Sequence, residues 1–211
     1  MNPKSYFDSA WQRCESIKVI HSYLDVKVTS VLSLDELLRA EWAARVSALD
    51  LYVHELVAQN MIRIFLGKLP VSDGFNRFKC SADTLIRIKN AGEMDSAVNA
   101  FDLEVRTILG RMTFQTPDDI ADGIRLVSNC ELWKSISINR GSKKKDAEFN
   151  SKMIKRSLSL IVKRRNSIVH EGDLEPSFPR IARQISKEDL LQVKNEIYEI
   201  VCAIDAIVWS T

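Results

Sequence analysis

The chain has 211 residues, 45% of them hydrophobic and 27% charged, which excludes a disordered chain, a collagen-like chain and a small disulfide-stapled scaffold. Seven glycines and five prolines are about half the usual share, and both residue types are kept out of helix interiors, so the composition points to a mostly helical protein. The formal net charge of +2 does not by itself announce a nucleic-acid partner.

In chain order, the first predicted helix covers about 5–27, with Trp11, Cys14, Ile17, Ile20, Tyr23 and Leu24 recurring every three or four residues. Ser33-Leu-Asp-Glu36 reads as a capping box that starts a long helix to about Leu66, striped by Val46, Leu49, Val53, Leu56, Val57, Met61 and Ile64. The run GKLPVSDG (67–74) ends it. A short helix is expected over 81–90 and another over 95–110, where Val98, Phe101, Val105, Ile108 and Leu109 keep helical spacing. Thr116-Pro117-Asp-Asp combines a capping hydroxyl, a proline in the first turn and acids at the positive dipole end, so a helix starts there and should end near Asn129. After a polar break, NRGSKKK (139–145), a long helix covers about 146–170 and stops at Glu171-Gly172-Asp173. A proline-bearing loop (174–185) leads through the capping signal Ser186-Lys-Glu-Asp189 to a last helix over about 187–208, striped by Leu190, Val193, Ile197, Ile200, Val201, Ile204 and Ile207. No repeat and no strand hairpin stands out. The expected fold class is all-α: a bundle of six to eight helices around a single core, in one domain. Within it, 1–30 is an N-terminal helix and 75–140 a possible helical insertion.

Four cysteines (Cys14, Cys80, Cys130, Cys202) lie too far apart to form a Cys-x-x-Cys pair, which speaks against a zinc knuckle or a dithiol redox site and for small buried side chains in a reducing compartment. The first residues, MNPKSYFDSAW, lack the order of a secretory signal, and no apolar run approaches the roughly 20 residues that span a bilayer. The expected location is cytoplasmic, without a membrane partner.

The charges are segregated. Residues 140–165 hold ten basic and two acidic side chains, a local charge of +8, which leaves −6 for the rest of the chain. Such a stretch is either a solvated helix face or an electrostatic footprint for phosphates. The helix that carries it has an anomaly. With Leu158 at zero and about 100° per residue, Leu158, Ile161, Val162, Ile168 and Val169 fall within about 80° of one direction. Arg165 falls in the middle of that stripe, where a charge is costly unless it is paired or faces a partner. Asn166 and His170, four residues apart, share its edge. Three readings stand: a satisfied core arginine beside a helix-end histidine; a metal site, for which His170 lacks a second histidine at helical spacing; and an active site completed by a second copy of the chain. On the long second helix, Asp50 lies inside the apolar stripe with His54 one turn on, which suggests an Asp50–Arg165 ion pair with His54 in support.

The string Arg164-Arg165-Asn166-Ser167-Ile168-Val169-His170-Glu171-Gly172-Asp173 resembles the signature of HEPN domains: an arginine, a polar residue, three more residues and a histidine at the end of a long bundle helix. SALDLYVHELVAQNMIRIF (47–65) is similar to an early helix of the same fold, and the closest subgroup is the RiboL-PSP-HEPN type. The likeness covers about 35–209; residues 1–30 and much of 75–140 match by helical character alone. The resemblance implies a metal-independent endoribonuclease without a cofactor, acting as a homodimer in toxin–antitoxin or anti-phage systems, with a cognate antitoxin or defence protein as partner. Carried over by position, Arg165 and His170 would be the catalytic pair and Asn166 their supporting residue, with RNA phosphates held by Lys155, Arg156, Lys163 and Arg164. The alternative implied by the same family is a non-catalytic module that dimerises or binds a nucleotide or a protein.

Overall fold

The stripe from Val46 to Ile64 lies on the helix around which the molecule is built. A computed structural model describes residues 2–27 and 34–209. In it α1 (Pro3–Lys27) precedes α2 (Asp35–Phe65), against which α1, α5, α6, α8 and α9 all pack; these later helices run Met94–Leu109, Pro117–Arg125, Ala147–Glu171 and Lys187–Ile204. The remaining helices are α3 (Asp73–Asn76), α4 (Ala82–Lys89) and α7 (Leu132–Asn139), and a π-helical turn, Asp205–Trp209, follows α9. Every stripe residue predicted for α2 is buried, and Leu49, Val53, Leu56, Val57 and Met61 are fully so. Truncating such a leucine to alanine costs about 2–5 kcal/mol.

All seven predicted helices are present. The additional α3 and α7, of one and two turns, lie in stretches read as connections. The expected caps are made at Thr116, which accepts from the Asp119 N–H, and at Ser186, which forms a full capping box with Asp189. Ser33 lies outside the described residues, and α2 begins behind Leu34 without a side-chain cap. The helix from Thr116 stops at Arg125, short of Asn129. The four cysteines are free; Cys14 is buried and the others half-buried.

The stripe predicted for α1 holds over half the helix. Phe7, Ala10, Trp11 and Cys14 are buried, whereas Ile20 and Tyr23 face solvent. Phe7 stacks on Trp11 at 4.9 Å between centroids and meets the edge of Tyr52. Beneath Trp11 lies Arg45, with no solvent exposure; its guanidinium sits 4.4 Å from the indole centroid and pairs with Glu41 and Glu15. A cation so buried is tolerated only because carboxylates and an aromatic face surround it.

Glycine is needed for a close approach at one position and for its backbone conformation at another. A Cβ on Gly123 of α6 would sit 2.6 Å from the Phe114 ring, so glycine lets that ring close over the helix. Gly172, at φ +66°, ends α8 in the left-handed conformation that L side chains rarely adopt. No helix among the described residues is long and apolar enough to cross a membrane.

Candidate functional site

The end of α8 is built by a reversal of the backbone. The Ser167 carbonyl accepts from the N–H groups of both Gly172 and Asp173. Asp173 is itself left-handed, at φ +53°. The chain then turns back as a short hairpin: the Leu174 and Ala182 backbones pair in an antiparallel bridge, and the Arg183 N–H donates to the Asp173 carbonyl at 2.8 Å.

This turn buries a carboxylate. The Asp173 side chain has no solvent exposure, and its Oδ2 accepts from Arg39 Nε at 3.1 Å and from Arg164 Nη2 at 3.0 Å. Both arginines reach further: Arg39 donates to the Arg183 carbonyl and Arg164 to the Gln184 carbonyl, each at 2.7 Å. Arg164 also lies over the Trp42 ring. Arg164, expected to contact RNA, is thus a fastener of the fold. A carboxylate out of water is stable only where such charged donors surround it.

The next residue behaves differently. Arg165 is half-buried, and its Nη1 donates to the neutral Asn166 side chain at 3.0 Å. Its Nε is shielded from solvent without a hydrogen-bond partner. The expected Asp50–Arg165 ion pair is not made. Asp50 is held from nearer by: the Phe114 N–H donates to it at 2.6 Å and the Gln115 side-chain amide at 3.0 Å. His54 Nε2 lies 3.5 Å from the same carboxylate, and its ring packs on Phe114. Asp50 and His54 therefore fasten Phe114 and Gln115 to α2, directly ahead of the Thr116 cap.

Asn166 and His170 are both exposed. The stripe predicted on α8 holds for Leu158, Ile161 and Val162; Ile168 is half-buried and Val169 is 49% exposed. Five residues of α-helix place Arg165 and His170 about 140° apart around the axis, so one protomer unites Arg165 with Asn166 but not with His170.

The basic segment divides in the same way. Arg140 is clasped by Glu196 and Glu199 of α9, Lys155 pairs with Asp118 at 3.1 Å, and Lys152 approaches Glu148 at 3.8 Å. Arg156 and Lys163 are exposed and make no ion pair with a described residue. On the same outer face Phe149, Met153 and Leu160 are exposed apolar side chains. Sequence reasoning overlooked Asp173, Arg39 and Arg183 as structural partners of the motif.

Against known protein families, residues 12–210 match the model for RiboL-PSP-HEPN, a span that includes both 75–140 and most of α1. No curated protein and no solved structure matches the chain. With the match covering nearly the whole length and the all-helical fold in agreement, the chain belongs to the RiboL-PSP-HEPN family.

Proposed function

We propose that the protein is a metal-independent endoribonuclease that works as a homodimer, with Arg165 and His170 as its catalytic pair, and that it serves as a toxin or an anti-phage effector in the cytoplasm. One observation carries the reading: Arg165 has no carboxylate partner among the described residues, because Asp50 is engaged elsewhere. An arginine on a buried helix face with only a neutral neighbour retains charge for an anion that arrives from outside, and its planar fork suits phosphoryl oxygens.

In the proposed reaction the RNA 2′-oxygen attacks the adjacent phosphorus. The bond to the 5′-oxygen breaks, leaving a 2′,3′-cyclic phosphate and a free 5′-hydroxyl. His170 takes the 2′-hydroxyl proton or supplies one to the leaving oxygen, since imidazole titrates near neutral pH. Arg165 holds the extra negative charge on the phosphoryl oxygens, and Asn166 orients the guanidinium it already binds. DNA lacks the attacking hydroxyl and is not cleaved. Because the two catalytic side chains diverge on α8, a second copy supplies the missing partner. The exposed Phe149 and Met153 favour such an assembly, since clustered apolar side chains on a surface mark interaction sites.

The test is RNA cleavage by the purified protein. Arg165→Ala and His170→Ala should each abolish it with the fold retained, and a chelator should leave the wild-type rate unchanged. Full cleavage by His170→Ala, or a strict metal requirement, refutes the mechanism. Expression of the wild type should arrest growth and expression of the double variant should not.

A further inference from the structure

Two hollows flank α8 near the motif. One, of about 450 Å³, lies towards α9 and is lined by Trp42, Leu160 and Gln192 among others. The other, of about 310 Å³, is lined by Thr116, Ser159, Asn166 and Glu171. Lys163 and Arg183 line both. Ser157, Ile161 and Arg164 lie on the first side of the helix and Ser159, Val162 and Asn166 on the second, so the two shared cations form the ridge between the hollows. His170 follows Asn166 by one turn and falls on the second side.

Resting on the ribonuclease reading, we infer that the two hollows are one groove for single-stranded RNA, crossed at Lys163 and Arg183, and that Arg183 is a substrate-positioning residue. The strand leaves the motif through the Asn166 hollow, sets a backbone phosphate on the ridge, and places a base in the α9 hollow. There Leu160, 60% exposed, offers an apolar wall and Gln192 an amide for the base edge.

The backbone at Arg183 is pinned on both sides. Its N–H donates to the Asp173 carbonyl at 2.8 Å, and its own carbonyl accepts from Arg39 at 2.7 Å. Its side chain is only loosely opposed, with Glu175 3.7 Å away. A cation on a fixed backbone with a weak internal partner is prepared for an external phosphate. The two carboxylates that line the hollows have hydrogen-bond partners of their own. Asp189 accepts from the Ser186 N–H of its capping box, and Glu171 accepts from the Ser167 hydroxyl.

The probe is a fluorescent single-stranded 2′-O-methyl RNA, which binds but cannot be cleaved, titrated into the full-length protein at several salt concentrations. Arg183→Ala and Lys163→Ala should each weaken binding about 5- to 30-fold and flatten the slope of log K against log salt by about 0.7, the value for one phosphate contact to a single strand. Arg183→Lys should recover part of the loss, and Lys89→Ala on the distant α4 should change nothing. Melting curves establish that each variant is folded. Wild-type binding by both Arg183→Ala and Lys163→Ala, beside cleavage that still needs His170, overturns the groove and leaves the ribonuclease standing. Loss of binding in those variants, with cleavage indifferent to His170, supports the groove and refutes the catalytic assignment. Absence of RNA binding by the wild type refutes both.

Discussion

Arg164 reaches past the end of its own helix to the Asp173 carboxylate at 3.0 Å, so the residue before Arg165 locks the turn that follows His170. Arg39 of α2 closes on the same oxygen. Asp173→Ala would leave Arg164 without a carboxylate partner, and the almost wholly buried Arg39 with only the exposed Glu36. Removing one member of such a buried cluster typically costs about 3–5 kcal/mol. Denaturant unfolding should show that loss in Asp173→Ala and a smaller one in Arg164→Lys, whose single ammonium cannot reproduce the guanidinium fork. Unchanged stability in Asp173→Ala would mean that the carboxylate does not anchor the turn.

Divergence of Arg165 and His170 on α8 makes a prediction about mixed subunits. In a dimer that joins the arginine of one copy to the histidine of the other, Arg165→Ala and His170→Ala subunits should be inactive alone. Refolded together, they should recover about a quarter of the wild-type sites, because a mixed dimer rebuilds one site in two and half of the random dimers are mixed. No recovery on mixing would place the reaction within single protomers.

Acid should unfold the protein through its cross-helix carboxylates. Glu55 of α2 receives Arg106 of α5 at 2.8 and 3.2 Å. Burial pushes the Glu55 pKa up, but the hydrogen bonds from Arg106 and Gln59 outweigh it and hold the carboxyl below its ordinary value. Glu15 behaves alike: burial raises it, and Lys194 and Arg45 bring it down further. Groups that titrate lower in the folded chain stabilise it fully above the ordinary value of 4.5 and lose that contribution as pH falls through the folded value. Melting temperature should therefore hold between pH 7 and 5 and fall below about 4.5. Glu55→Gln should shallow that fall and lower stability at pH 7 by about 1.5–3 kcal/mol, the range for hydrogen bonds to charged groups.

Helices of three turns or more were legible because their stripes repeat, and Thr116 and Ser186 announced their caps in the local sequence. The wheel of α8 likewise singled out Arg165 on its inner face, although His170 does not stand beside it. What sequence could not supply was choice of partner. Asp50 and Arg165 carry opposite charges on facing helices, yet a backbone N–H that arrives with the 112–116 segment satisfies Asp50 first. Loop contacts of this kind have no periodicity to read. One signal was available: Arg39 stands one turn before Trp42 and two before Val46 on the apolar stripe of α2, and a charge there demands a carboxylate. In α1 the inner face passes from Cys14 through Ile17 to His21 and Leu24, which leaves Ile20 and Tyr23 on the solvent side.

The aromatic packing of α1 bears on where the molecule can be cut. Family likeness begins at residue 12, while Phe7, Ala10 and Trp11 are buried ahead of it. A fragment started at that border would lose the lid over Arg45 and Tyr52, opening the most buried cation of the protein to water on one side only. Common descent and cooperative folding thus draw different edges on this chain, and the unit that must be kept whole is the one the core defines.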